Sequence, residues 1–200
     1  MNPHNPEPRK VQRVVETLER GGIIAYPTDT VYGLGCDLLS KKGVDRLYQL
    51  KGMPKTQQLA FVCHDLSDVS RYAVVHDYEY RILKEYLPGP YCFILPATRE
   101  VPRVVQSQRK HVGVRIPNHP IALEIVRALG RPVVSTTAAR HGELPHVDAQ
   151  EILAEFKGID LAIDGGPGGN APTTVIDLTG PQPVVVREGA GDPVPFQSGP

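Results

Sequence analysis

Ile23-Ile24-Ala25-Tyr26-Pro27-Thr28-Asp29-Thr30-Val31-Tyr32-Gly33-Leu34-Gly35 is an apolar run that breaks, at a proline, into hydroxyls, a carboxylate and two glycines. Four apolar residues between Gly21-Gly22 and Pro27 read as a short buried strand. Residues 27–35 read as the loop leaving its end. Thr28, Thr30, Asp29 and Tyr32 bring polar groups there, and Gly33 and Gly35 permit close backbone approach. The same residues equally suit a turn in which Thr and Asp satisfy their own backbone.

Upstream, Val11, Val14, Val15 and Leu18 share one helical face. Downstream, Ser40 caps a helix carrying Val44, Leu47, Tyr48 and Lys51. Leu59–Cys63, Tyr91–Leu95, His111–Ile116, Val133–Thr136, Ile159–Ile163, Thr174–Leu178 and Val184–Arg187 read as strands. A helix is expected over Tyr78–Leu87, ended by Pro88-Gly89-Pro90. Another, capped by Asn118, carries Ile121, Ile125 and Leu129 and stops at Gly130. Asp148 and Glu151 form a capping-box pattern ahead of Ile152, Leu153 and Phe156. Helices and strands alternate, then strands dominate, which predicts an α/β domain with a mixed sheet.

The chain has 200 residues, enough for one domain with a full core. We place that domain at residues 10–195, with 1–9 and 196–200 as free, flexible termini. Lysine plus arginine equals aspartate plus glutamate at 22 each, so any anion site is local rather than a property of the whole surface. Cys36, Cys63 and Cys92 are far apart and odd in number, which suits a reducing cytoplasm. The seven histidines form no HxxxH or HExxH pattern, so no metal ligand is assigned. The N-terminus has no apolar core of a secretion signal, and no apolar run reaches bilayer length. The expectation is a cytoplasmic protein.

Polar residues recur where apolar runs end. Arg115 closes Val112-Gly113-Val114-Arg115-Ile116, where a charge is costly without a partner. A carboxylate or phosphate suits its guanidinium, and so does an internal salt bridge. His119 opens the next helix, near free backbone N–H groups that favour anions, and equally suits a capping or surface role. Ser135-Thr136-Thr137 leave another strand, and Thr173-Thr174 and Arg187-Glu188-Gly189 mark two more. Lys51-Gly52-Met53-Pro54-Lys55 instead leaves a helix; its lysines suit phosphate oxygens or the helix dipole alone. Asp164-Gly165-Gly166-Pro167-Gly168-Gly169-Asn170 reads as a flexible loop without a P-loop ending. Ser135 has no G-x-S-x-G elbow, so a plain hydrolase has little support. In open α/β sheets ligands gather at such strand ends, which predicts one shared pocket.

Taken in order, these motifs resemble the YrdC/YciO-like family. Residues 27–35 are similar to its P-T-[DE]-T-x-Y-G-L loop, and Val112–Pro120 to its V-x-V-R-x-P-x-H-P segment. Pro88-Gly89-Pro90, Asp164-Gly165-Gly166, Pro172–Asp177 and Arg187-Glu188-Gly189 follow in the family's order. The stretch Asp65-Leu66-Ser67, the run Phe93–Arg103 and the ending Val184–Asp192 lean toward the YciO branch.

The resemblance implies a single domain: a twisted mixed β-sheet flanked by helices around a large basic cavity. It implies L-threonylcarbamoyladenylate synthase activity, a nucleotidyl transfer from ATP, threonine and bicarbonate, with Mg²⁺ accompanying ATP. The product feeds tRNA threonylcarbamoyladenosine. Carried over by motif, Thr28, Tyr32, Arg115, His119 and Thr173 bind threonine. Lys51, Ser135, Thr137, Thr174 and Arg187 bind the nucleotide, and Lys51, Lys55 and Arg115 are catalytic. Four positions depart from the pattern, among them His111, which stands where a threonine is frequent. Met53 replaces the arginine of K-x-R, Ala139 an asparagine, and His141 a serine. Lys55 is the candidate substitute for the missing arginine. These losses imply weak activity, or an alternative role as a tRNA- or double-stranded-RNA-binding protein on the same scaffold.

Overall fold

The computed structural model describes residues 1–2, 5–105, 110–140 and 143–197. Its elements in chain order are α1 (Pro8–Glu19), β1 (Ile24–Tyr26), β2 (Gly33–Asp37), α2 (Lys41–Lys51), β3 (Ala60–Val62), α3 (Leu66–Tyr72), α4 (Asp77–Tyr86) and β4 (Tyr91–Pro96). Then come β5 (His111–Arg115), α5 (Pro120–Leu129), β6 (Val133–Thr137), α6 (Ala149–Glu155), β7 (Leu161–Ala162), β8 (Thr174–Asp177) and β9 (Val184–Arg187). The strands form one mixed sheet in the order β7-β1-β2-β6-β3-β5-β4-β8-β9. This is the α/β domain with a mixed sheet expected from the sequence. Among the described residues, no helix is long and apolar enough to cross a membrane.

Alternation along the strands builds two cores. Ala25, Leu34, Phe61, Val114 and Val134 face one layer, which buries Val44 and Leu47 of α2 and Ile152 of α6. Ile24, Tyr26, Val62 and Val133 face the other, under Val14, Val15 and Leu18 of α1 and Ile121 and Ile125 of α5. Burying an aliphatic side chain of this kind contributes about 1.5–3 kcal/mol. The helices α1 and α5 pack on each other and cover one half of that second face. The other half, over β6, β3, β5, β4 and β8, carries the cavity described below.

Several local expectations need correction. Residues 33–35 are not loop. They open β2, which pairs antiparallel with β1 from Tyr26↔Gly33 to Ile24↔Gly35. Glycine weakens a strand by propensity, but here the Tyr26 ring lies where side chains would be. A Cβ at Gly33 or Gly35 would sit 3.0 Å from that ring. The short helix α3 escaped the sequence reading; Asp65 caps it by accepting the Asp68 N–H. Asn118 does not cap α5. Its backbone N–H is taken by Asp29 and His119 is the cap residue, because Pro120 fixes the first helical position. Leu153 is exposed rather than on the buried face of α6.

Described residues at both ends make contacts with the rest of the domain. The Met1 ammonium donates to the Asp164 carbonyl, and α1 already begins at Pro8. Phe196 is buried against Tyr86, Tyr91 and Phe93. Residues 3–4 and 198–200 lie outside the described residues.

Candidate functional site

Strand register assembles the cavity floor. Ser135 pairs with Ala60, Ala60 with Gly113, and Gly113 with Ile94. Paired residues in neighbouring strands point to one face, and three of these four, Ser135, Ala60 and Gly113, are small. A parallel row lies two residues along β5. Continuing the register, Arg115 stands beside Cys92, Cys92 pairs with Val175, and Val175 with Arg187. Two guanidiniums thus rise from one row on one face, three strand spacings apart. They line a cavity of about 180 Å³ together with Thr136, Thr137 and the loop residues Gln57 and Gln58. Among the described residues the lining includes these two arginines and no carboxylate.

Arg115 is held from behind. Its Nη2 donates to Asp29 Oδ1 at 2.6 Å, both side chains being about nine-tenths buried. The Thr30 hydroxyl lies 3.4 Å from the same nitrogen. The Arg115 Nε is buried without a partner. Arg187 has no carboxylate at all. Its Nε and Nη2 donate to the Thr173 carbonyl and Nη2 also to Thr173 Oγ1, at 2.9–3.1 Å. Burial lowers the Arg187 pKa, and Arg115 nearby pushes the same way. Between them, burial pushes the Cys92 thiol up to about 11 although both arginines pull it back. It is therefore a neutral wall group and a poor nucleophile at pH 7.

The hydroxyls differ in availability. Ser135 Oγ accepts from the Tyr26 hydroxyl at 2.7 Å and donates to the Leu34 carbonyl at 3.3 Å, so its proton is committed to the fold. Thr137 shares the face of Ser135 and borders the cavity, whereas Thr136 borders it from the strand position that alternates to the other face.

A family model now adds to the geometry. The Sua5/YciO/YrdC model, described as telomere recombination, matches residues 16–189. The chain belongs to the Sua5/YciO/YrdC family. YciO of Escherichia coli (strain K12), itself described as uncharacterized, is 43% identical over 199 residues, spanning 98% of this chain and 97% of that one. The threonylcarbamoyl-AMP synthase of Halorhodospira halophila is 34% identical over 178 residues, 88% of this chain and 93% of that one. Among solved structures, E. coli YciO superposes with a TM-score of 0.93 at 42% identity, covering 98% and 97% of the two chains. P. abyssi Sua5 complexed with L-threonine superposes at 0.87 and 31% identity, covering 92% of this chain and 55% of that longer one.

Set against the family's motif residues, the structure divides the expected set. Arg115, Thr173, Arg187, Ser135, Thr137 and Tyr32 all line the cavity. Tyr32 does so as a strut: its hydroxyl donates to the Gly166 carbonyl and accepts the Gly165 N–H. That tie, with Gly169 N–H on the Thr30 carbonyl, makes residues 164–170 a seated loop rather than a flexible one. Thr28 is buried in its own turn, its hydroxyl donating to the Val31 carbonyl at 2.7 Å. His119 sits beside Asp29 outside the cavity lining, with Nδ1 buried and unpartnered; burial lowers its pKa.

Three of the expected residues lie outside the cavity lining in this structure. Thr174 is fully buried and donates to the Gly191 carbonyl at 2.5 Å, because its Cα faces away from Arg187's row. Lys55 is exposed and pairs with Asp45 at 2.5 Å on the outer surface of α2. Lys51 is buried, yet its ammonium donates to the Thr137 carbonyl at 2.8 Å and to the Ala139 carbonyl, behind the cavity wall. Desolvation lowers its pKa from 10.5 to about 8. Met53 is buried in the α2-side core. His141 lies outside the described residues. Asp29, Gln57 and Gln58 were given no role from sequence. Only Asp29 carried a signal there: a carboxylate inside the motif that needs an arginine.

Proposed function

We propose that this chain binds a nucleotide and threonine in the Arg115–Arg187 cavity and forms threonylcarbamoyl-AMP, the product after which its synthase relatives are named. The observation carrying this is a floor with two arginines in one row, bordered by Thr137 and, among the described residues, lined by no carboxylate. Positive groups fixed over a small-residue floor suit two anions held side by side.

The chemistry balances as follows. The threonine amine takes up bicarbonate with loss of water, giving a carbamate. A carbamate oxygen attacks the α-phosphorus of ATP. The bond from that phosphorus to the bridging oxygen breaks, and pyrophosphate leaves with the electron pair. Negative charge on the phosphoryl oxygens grows in the transition state, where a preset guanidinium is most useful. Among the described residues the lining offers no carboxylate, so Mg²⁺ would be held by the phosphates of ATP and by water rather than by acidic side chains. When bound it would neutralise the leaving group. Arg115 and Arg187 orient the anions, and the seated loop 164–170 helps close the wall.

The position of the family's K-x-R arginine supplies no charge here, since Met53 is in the core. Losing one charged contact costs about 1.5–3 kcal/mol, or one to two decades in rate, so slow turnover is expected. The test is pyrophosphate release dependent on threonine and bicarbonate together, paired with calorimetric titration of ATP with and without threonine. Release at the blank level with no mutual enhancement of binding counts against it. The retreat of Lys51 and Met53 from the cavity favours one second reading, RNA binding on this scaffold. That reading requires strongly salt-dependent RNA affinity.

A further inference from the structure

Arg115 serves an anion only in the direction its guanidinium faces, and what sets that direction reaches beyond its own strand. Its Nε is buried without a partner, so the two Nη groups alone fix its orientation. Asp29 takes Nη2 at 2.6 Å, and Thr30 Oγ1 lies 3.4 Å from Nη2 and 3.5 Å from Nη1. An ion pair through one nitrogen leaves the planar fork free to pivot about that contact. A second acceptor spanning both Nη groups removes the pivot.

Counting protons shows which way the Thr30 hydroxyl is turned. Thr28 has a single hydroxyl proton, which goes to the Val31 carbonyl at 2.7 Å. The 3.1 Å contact between the Thr28 and Thr30 hydroxyls is then donated by Thr30. The lone pairs of Thr30 Oγ1 are left for Arg115, a group that can only donate. Thr30 is buried, so a hydroxyl lost there is not replaced by bulk water.

The backbone of Thr30 is held from the far end of the chain. Its carbonyl accepts the Gly169 N–H at 2.6 Å. A Cβ at Gly169 would lie 2.2 Å from that oxygen, so only glycine approaches this closely. The loop carrying Gly169 is itself pinned twice. The Tyr32 hydroxyl holds Gly165 and Gly166, and the Val147 carbonyl accepts the Gly168 N–H at 2.7 Å.

We propose that Thr30 is a positioning residue for Arg115, and that loop 164–170 acts on the cavity's affinity for anions through Thr30. This deepens the reading above and rests on it. Thr30 sets the direction of the guanidinium, Gly169 sets the place of Thr30, and the Tyr32 hydroxyl keeps the loop against both. Tyr32 serves the site without donating to a ligand, since its proton is spent on the Gly166 carbonyl.

The experiment is calorimetric titration of inorganic pyrophosphate, the product released in that reading, into the full chain. It is repeated on Thr30→Val, Thr30→Ser, Tyr32→Phe and the Tyr32→Phe/Thr30→Val double variant. Thr30→Val keeps the side chain's shape and the carbonyl that Gly169 meets, and removes only the hydroxyl. It should bind about tenfold more weakly, as the loss of one hydrogen bond to a charged group predicts. Thr30→Ser keeps the hydroxyl and should stay within about threefold of wild type. Tyr32→Phe should lose about threefold, and the double variant should fall no more than about twofold below Thr30→Val, because the loop acts through a hydroxyl already gone.

If Thr30 served packing alone, the order of its two variants would reverse, since serine loses a methyl group and valine does not; that order overturns the proposal. Wild-type affinity in Thr30→Val overturns it too, leaving Asp29 to aim Arg115 by itself. Fully additive losses in the double variant overturn the route through Thr30. In all three cases pyrophosphate still binds the wild type and the proposed function stands. No binding of pyrophosphate by the wild type overturns both this inference and the function it rests on.

Discussion

Asp29 accepts from the Arg115 guanidinium with one carboxylate oxygen, at 2.6 Å, and from the Asn118 backbone N–H with the other, at 3.0 Å. One side chain therefore fixes both the end of β5 and the approach to α5. It also solves the problem the sequence posed, a charged residue closing an apolar strand. The pair is nearly buried, so its members depend on each other more than surface ions do.

Asp29→Asn should accordingly act on both stability and binding. Breaking a buried ion pair from one side leaves the other charge uncompensated, at a cost of about 3–5 kcal/mol. Urea denaturation should show that loss as a lower midpoint with an unchanged slope. Threonine affinity should fall in the same variant, and Asp29→Glu should recover part of each. Full stability in Asp29→Asn would mean that Thr30 alone suffices to hold Arg115.

Lys51 predicts a pH effect with a definite sign. Its folded pKa is lowered to about 8 by desolvation, from an ordinary 10.5. Between those values the unfolded chain binds more protons than the native one, so this residue's contribution to stability rises with pH. Below about pH 8 the full penalty of a buried ammonium is present, on the order of 3 kcal/mol. Above about pH 10.5 it is gone. Buried tyrosines and cysteines titrate oppositely, so the readout is the difference between wild type and Lys51→Met. That difference should move in favour of wild type from pH 8 to 10. A flat difference would place the ammonium in contact with solvent.

Lys55 gives the opposite kind of forecast. Its ammonium meets Asp45 on the surface, where Lys41 reaches the same carboxylate at 2.7 Å. Exposed pairs of this kind are worth about 0–1 kcal/mol. Lys55→Ala should leave nucleotide titrations unchanged and stability within about 0.5 kcal/mol. A drop in nucleotide affinity would show that the loop brings Lys55 inward when ligand binds.

The sequence made the layers legible because apolar runs of strand length are separated by capped helices. It also marked Arg115, Thr173 and Arg187, since polar groups ending buried strands need partners. Position within that row was harder to read. Thr173 and Thr174 are adjacent and chemically equal, yet a strand turns them to opposite faces, and only register says which meets Arg187. Likewise, nothing local distinguishes Lys51 as a wall brace. Its partners, the carbonyls of Thr137 and Ala139, come from β6 and its exit, some 86 to 88 residues away. Glycines misled for a different reason. At Gly33 and Gly35 they signal not a loop but a strand pressed under an aromatic ring.

That pressing is testable at Gly35. A Cβ there would lie 2.5 Å from Val133 Cγ1 and 3.0 Å from the Tyr26 ring. Val133 sits in β6, opposite the β2 residue Asp37, so it cannot withdraw without shifting the ladder. Gly35→Ala should therefore lose about 1–3 kcal/mol by overpacking. It should also tilt Tyr26 off Ser135 and loosen the cavity floor, weakening ligand binding. Gly52→Ala is the informative contrast. A Cβ at Gly52 meets nothing within 4 Å, but its φ of 62° is left-handed. Its cost should be about 1 kcal/mol, from backbone strain alone, with ligand binding untouched. Equal effects of the two substitutions on binding would show that the β1–β2 contact has no part in shaping the floor.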